Sequence, residues 1–292
     1  MKPAPFSYAA PASLDEALEL LSRHGSGAKL MAGGQSLMPM MNLRLARPEV
    51  VIDLNRIPDL SHWHRDDLGI RIGALARQRL LEEAGGPAAS LPLLAAAIRH
   101  VGHVATRSRG TIGGSLAHAD PAAELPCCML ALDATMVARS TRGERTIAAT
   151  EFFTGLFATA LAPDEILCEI RLPHPQGRSG ASFVEISRRP GDFAMVGVAS
   201  TLQLAADRTI RAASLALAGV GATPVRMPEA EAALIGQAAG EDAWAASGRT
   251  VACAISPTSD LHATAAYRCR IAAVLTERAL AQACRMALKG AS

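Results

Sequence analysis

"GTIGGSLAHADPAAELP", residues 110–126, places three glycines and two hydroxyl residues just ahead of a proline-led segment. Backbone this bare of side chains serves either a tight turn or the close approach of a bound group to the main chain. A second stretch of the same character, "LMAGGQSL" at residues 30–37, lies upstream. In each, a Gly-Gly pair follows apolar residues and precedes a serine: Gly33–Gly34 with Ser36, and Gly113–Gly114 with Ser115. A phosphate needs several N–H groups pointing inward, and a Cβ obstructs that approach. Two such loops suit a diphosphate better than one. The alternative is that the glycines only turn the chain.

Other nucleotide-binding patterns are absent. The chain's only lysines are Lys2, Lys29 and Lys289, so there is no P-loop lysine beside either glycine pair. "GVGATP" (219–224) offers two spaced glycines, but Pro224 stands where a third would open a helix, and the segment reads as a strand end.

The chain of 292 residues is long enough for two domains. Its formal net charge of +2 and scattered basic residues argue against a nucleic-acid stripe. Its apolar runs are broken by Arg, Asp, Glu or Pro, so no membrane span is expected. The N-terminus lacks the apolar segment of a signal peptide, and a cytoplasmic location is expected by default. The six cysteines show no C-x-x-C spacing, which excludes an iron–sulfur or zinc motif of that kind. Most are expected to be small buried hydrophobes.

Working outward, Ser13 and Glu16 form a capping box for a helix carrying Leu14, Ala17, Leu18 and Leu21, and Gly25 ends it. "AKLM" (28–31) and "VVIDL" (50–54) read as strands of a parallel crossover unit. "GIRIGALA" (69–76) opens a second region, with helical segments near 77–84 and 91–101. Asp120 is placed to cap a helix beginning at Pro121. "ATMVARS" and "EILCEIRL" read as strands, and residues 173–182, "PHPQGRSGAS", as a linker. "FVEISRR", "MVGVASTLQLA" and "IRAASLALAGVG" then suggest an antiparallel sheet, followed by helices, the longest near 260–287.

"AGGQSLMPMMNLRLARPEVVIDLNRIPDL" and "TRSRGTIGGSLAHADPAAELP" closely resemble the FAD-binding medium subunit of molybdenum hydroxylases, the carbon monoxide dehydrogenase and xanthine dehydrogenase family. "EISRRPGDFAMVGVA" and "DLHATAAYRCRIAAVLTERAL" resemble that family's carboxy-terminal domain, so the likeness covers almost the whole chain. It implies an α+β fold: a two-subdomain FAD-binding domain of the vanillyl-alcohol-oxidase (PCMH) type over 1–176, then a smaller domain of antiparallel sheet and helices over 177–292. It implies that Met31, Ala32, Gly33, Gly34, Gln35, Ser36 and Leu37 form the first pyrophosphate loop, and Thr111, Gly113, Gly114 and Ser115 the second. His118 and Glu124 would approach the cofactor beyond it, Leu167 would touch the adenine half, and Asp192 and Phe193 would lie beside the isoalloxazine.

The resemblance further implies FAD as the cofactor, an iron–sulfur small subunit and a molybdopterin large subunit as partners, and an external electron acceptor. No catalytic acid or base and no metal ligand is expected in this chain. One departure stands out: relatives often carry a lysine where this chain has Val184 or Glu185. Two other readings stay open, a self-contained flavin oxidase of the same superfamily and a redox-inert structural subunit.

Several candidates have plainer explanations. "HWHRDD" (62–67) could hold a metal but reads as a solvated polar turn. His100 and His103 could pair near a helix end. Glu124, one turn into its helix, also complements the helix dipole. Phe193 could be a core aromatic, and Tyr267 and Arg268 on the last helix are assigned to packing.

Overall fold

The computed structural model describes residues 2–83 and 85–289. The chain opens with a small parallel sheet made of β1 (Ser7–Ala9), β2 (Ala28–Met31) and β3 (Val50–Asp53), in the order β1-β3-β2. Helix α1 (Leu14–His24) lays Ala17, Leu18 and Leu21 on it, against Ile52 and Leu54. Its spacing of apolar residues dictates that face. The Ser13 hydroxyl accepts from the Glu16 N–H at 3.2 Å, while Glu16 returns a carboxylate oxygen to the Ala12 N–H at 2.9 Å. The reciprocal cap is therefore offset by one residue from the expected box. The crossover from β2 to β3 carries α2 (Leu37–Asn42).

A second sheet follows, built from β4 (Trp63–Asp66), β5 (Gly69–Gly73), β6 (Thr135–Ser140), β7 (Gly143–Ala148) and, after the hairpin of β8 (Phe153–Gly155) and β9 (Ala158–Thr159), β10 (Ile166–Leu172). It is antiparallel, in the order β4-β5-β10-β6-β7. Four short helices connect β5 to β6: α3 (Pro92–Ala97), α4 (Val104–Arg109), α5 (Ile112–His118) and α6 (Glu124–Ala131); α7 (Ala149–Phe152) precedes the hairpin. The segment expected as helix near 77–84 is instead a 3-10 turn over Gln78–Glu82. "WHRD" is the edge strand β4, so His64 sits on a strand, His62 just precedes it, and only Asp67 falls in the turn that follows. No group of three metal-ligating side chains occurs among the described residues.

The third sheet is antiparallel: β11 (Arg178–Ile186), β12 (Val196–Leu204), β13 (Ile210–Ala218) and β14 (Val225–Arg226). The expected linker is shorter than 173–182, because β11 begins at Arg178. Helix α8 (Pro228–Ala232) precedes α9 (Glu241–Ala254) and α10 (Ala265–Lys289), and α9 packs against α10. One face of the sheet carries Val198, Leu202 and Leu217 into a core with Leu275 and Leu280. The other sends Phe183, Ala199 and Ala216 into the main core with Leu93 and Leu130. Burial on both faces explains the nearly continuous apolar runs of β12 and β13.

Arg268, on the first turn of α10, does more than pack. Its guanidinium donates to the carbonyls of Met195 and, at 2.8 Å, Gly219, and to Asp260 Oδ2 at 2.7 Å. It thereby ties the last helix to the ends of β12 and β13. Of the cysteines, Cys127, Cys128 and Cys168 are buried, while Cys253 is exposed and Cys269 and Cys284 partly so, fewer buried than expected. No helix among the described residues is long and apolar enough to cross a membrane.

Candidate functional site

The two glycine loops meet. Gly33 lies so close to the other loop that a Cβ there would stand 2.4 Å from the Arg109 carbonyl oxygen and 2.7 Å from Gly110 Cα. A polar brace beneath them fixes the approach. Tyr8 donates to Asp53 at 2.5 Å, Asn55 Nδ2 donates to Asp53 and, at 2.7 Å, to the Ala32 carbonyl, and Arg77 donates to Asn55 Oδ1 at 2.6 Å and to the Arg109 carbonyl. One carbonyl from each loop is thus held by the same network.

Above this junction opens a cleft of about 720 Å³. Ala32, Gly33, Gly34, Gln35, Ser36 and Leu37 line it from one side, and Thr111, Gly113, Gly114 and Ser115 from the other. His118, Glu124 and Leu167 lie along it, and Phe193 reaches it from the carboxy-terminal half. Two expected residues stand apart. Met31 lines an adjoining cavity of about 500 Å³ with Asp53, Asn55, Arg77 and Arg109. Asp192 lines neither space, although its neighbour Gly191 does.

The loops differ in chemistry. Among the described residues, the backbone N–H groups of Gly33, Gly34, Gln35 and Ser36 donate to no protein acceptor. The second loop has spent most of its donors: Ile112 on the Ala76 carbonyl, Gly113 on Ala74, Gly114 on the Thr111 hydroxyl at 3.0 Å, and Ser115 on the Thr111 carbonyl, which leaves the N–H of Thr111. A Cβ on Gly113 would meet Ala74 at 2.4 Å, so that glycine serves packing against the turn after β5. The first loop therefore offers the anion-binding N–H groups, with Gly34 at φ 70° turning the backbone. The second offers a surface without side chains. This combination fits a diphosphate.

Asp120 is not a helix cap. Its Oδ1 accepts from the Ala122 N–H at 2.9 Å in a local turn, and α6 starts only at Glu124, with Ala123 at the cap position. Glu124 is hence the first residue of that helix. Burial pushes its carboxyl up to about 7, and lowers the pKa of His118. The two histidines do not pair: His100 turns to Glu185, and His103 lines the cleft.

Sequence reasoning missed Phe157, His103 and Glu165 in the cleft lining. Phe157 sits between β8 and β9 at φ 54°, a strained angle for a bulky residue, with its ring 5.0 Å from that of His118. The tell-tale was weak: "TGLFA" is a hairpin-sized gap, but nothing in it points a ring at a histidine forty residues upstream.

Comparison with known proteins identifies the family. The family model "FAD binding domain in molybdopterin dehydrogenase" matches residues 4–175, and "CO dehydrogenase flavoprotein C-terminal domain" matches 181–283. The chain is 40% identical over 283 residues to the 6-hydroxypseudooxynicotine dehydrogenase complex subunit alpha of Paenarthrobacter nicotinovorans, covering 97% of this chain and 96% of that one. It is 40% identical to the caffeine dehydrogenase subunit beta of Pseudomonas sp. (strain CBB1), covering 97% and 96%. A chain of the carbon monoxide dehydrogenase structure from Hydrogenophaga pseudoflava superposes with a TM-score of 0.95 at 38% identity, covering 98% of this chain and 99% of that one. The chain belongs to the family of FAD-binding medium subunits that includes the carbon monoxide dehydrogenase medium chain, and its cofactor is FAD.

Proposed function

We propose that this chain is the electron-transfer subunit of a multi-subunit molybdenum hydroxylase. It takes electrons from 2Fe–2S clusters of a small partner subunit, while a large molybdopterin subunit oxidises the organic substrate, and it passes them to an external acceptor. The observation that carries this reading is the run of free N–H groups from Gly33 to Ser36 in the lining of a cleft that Phe193 also lines. When bound, FAD supplies the chemistry that joins one-electron donors to a two-electron acceptor. The chain's own residues bind and orient it: the first loop holds the diphosphate, the second lets it approach, and Leu167 and Phe193 contact its two ends. The names of relatives such as the 6-hydroxypseudooxynicotine dehydrogenase and caffeine dehydrogenase subunits support a role in a complex that oxidises a small organic molecule.

To test the reading, the purified chain is precipitated with acid. One FAD per chain should appear in the supernatant, with neither iron nor molybdenum, and the bound flavin should be reduced by a reduced iron–sulfur partner. Flavin left in the pellet, stoichiometric iron, or a flavin that the partner cannot reduce would overturn it.

Phe193 gives a finer test, since it is 58% exposed although it lines the cleft. Phe193→Ala should weaken FAD binding roughly two- to tenfold, the factor equivalent to ~0.5–1.5 kcal/mol of aromatic contact. The flavin's reduction potential and its reactivity with oxygen should both change. Unchanged affinity and potential would make Phe193 a surface residue without a cofactor role.

A further inference from the structure

Glu124 in the cleft wall and two titratable groups outside the cleft lining, Glu185 and His100, have no part in holding the diphosphate. Glu124 faces the cleft and is only 4% exposed. Glu185, on β11, keeps its side chain 3% exposed, and His100, just past α3, is open to solvent over 37% of its side chain. His100 Nδ1 stands 3.3 Å from Glu185 Oε1, with the imidazole leaning on Phe183 at 5.5 Å between centroids. Glu185 Oε2 is buried and has no hydrogen-bond partner among the described residues. One end of this cluster opens on the cleft and the other on water. Glu185 keeps a buried carboxylate oxygen with unused lone pairs.

The charges around the cluster are few. Glu124 is raised first by burial and then by the charges of Glu185 and Asp120, against its own backbone N–H and His100. The hydrogen bond to Glu185 raises His100 most, with Glu124 adding to it, while burial and Arg99 oppose. Cys127 and Cys128 lie behind, and burial pushes the Cys127 thiol up to about 12 and Cys128 well above its usual value. They stay neutral and hold their protons. His103 and His118 line the cleft itself.

We propose that Glu124 gives up a proton to the cofactor as it is reduced in the cleft, and that the Glu185–His100 pair reloads Glu124 from solvent. This rests on the electron-transfer reading above, and supplies the acid that the sequence did not lead one to expect. Iron–sulfur clusters deliver electrons without protons, whereas two-electron reduction of an isoalloxazine forms at least one new N–H bond. The Glu124 O–H bond breaks as that N–H bond forms. The resulting carboxylate takes the proton held between Glu185 and His100, and His100 regains one from water. Charge balances at each stage, with electrons entering from the partner and protons from solvent.

The test uses the full chain loaded with FAD and reduced methyl viologen, a donor of electrons alone, in stopped flow from pH 6 to 9 in water and in D2O. Glu185→Gln keeps the shape of the buried side chain, and His100→Gln alters only a partly exposed one. Both should slow flavin reduction at pH 8 by roughly tenfold to a hundredfold, at or below the usual share of a positioned proton donor. They should also flatten its pH profile and leave FAD affinity within about twofold of wild type, as expected for groups that do not touch the cofactor. In infrared spectra, a protonated-carboxyl band present in the wild type should vanish in Glu124→Gln. If the variants hold FAD yet keep the wild-type rate and pH profile, the relay is wrong and the electron-transfer reading stands. If the wild-type flavin accepts no electrons at all, that reading falls and the relay with it.

Discussion

Gly33→Ala should lower the affinity for FAD by roughly two orders of magnitude. The new methyl would stand 2.4 Å from the Arg109 carbonyl oxygen and 2.7 Å from Gly110 Cα, both backbone atoms of the facing loop. Neither can swing aside as a side chain would, and the Asn55–Arg77 brace holds the Ala32 and Arg109 carbonyls in place. The loops must part. Overpacking of this kind costs about 1–3 kcal/mol, and the upper end equals about a hundredfold in affinity. Titration of the apo chain by flavin fluorescence measures it, with circular dichroism to check the fold. An affinity within about threefold of wild type would show that the contact between the loops does not shape the site.

In the FAD-free chain, Glu124→Gln should be stabilising at alkaline pH. The folded state holds the carboxyl at about 7 against an ordinary value of 4.5. Below the ordinary value both states are protonated and burial carries no ionisation penalty. As pH rises through this window the unfolded chain ionises first, so stability is lost, and the loss is complete above about 7. The gap corresponds to roughly 3 kcal/mol at pH 8.5, which a glutamine avoids because it cannot ionise. Urea unfolding at pH 5 and pH 8.5 should show the difference between variant and wild type growing by about 2.5 kcal/mol toward the higher pH, since part of the loss is already present at pH 5. A difference that does not change with pH would mean that Glu124 is ionised at no cost.

What could be read before the structure was local. The cap at Ser13, the parallel pair β2 and β3, and the run β11 to β13 all follow from spacing within a few residues, and so does the α+β architecture. Strand β1 escaped notice because its three residues lie between prolines and gain their order from β3, more than forty residues away. Asp120 misled because an Asp–Pro pair opens a local turn as readily as a helix. The candidate site was legible as far as its glycines. That most N–H groups of the second loop are taken depends on Ala74 and Ala76, whose carbonyls reach Gly113 and Ile112 from another element. The pairing of His100 with Glu185 joins the turn after α3 to β11, and no periodicity marks it.

The bond from Arg268 to the Met195 and Gly219 carbonyls has a consequence in time. The chain is made from its N-terminus, at roughly 5–20 residues per second. The glycine loops and most of the cleft wall belong to residues finished long before residue 268 leaves the ribosome. The segment carrying Gly191 and Phe193 is also finished early, but its inner end at Met195 can be latched only when α10 arrives. Synthesis thus leaves an interval in which both glycine loops have been made while the Met195 end of the segment carrying Phe193 still lacks its bond to Arg268. A ribosome-bound chain stopped before Arg268 would lack that fastening, and one released whole would have it.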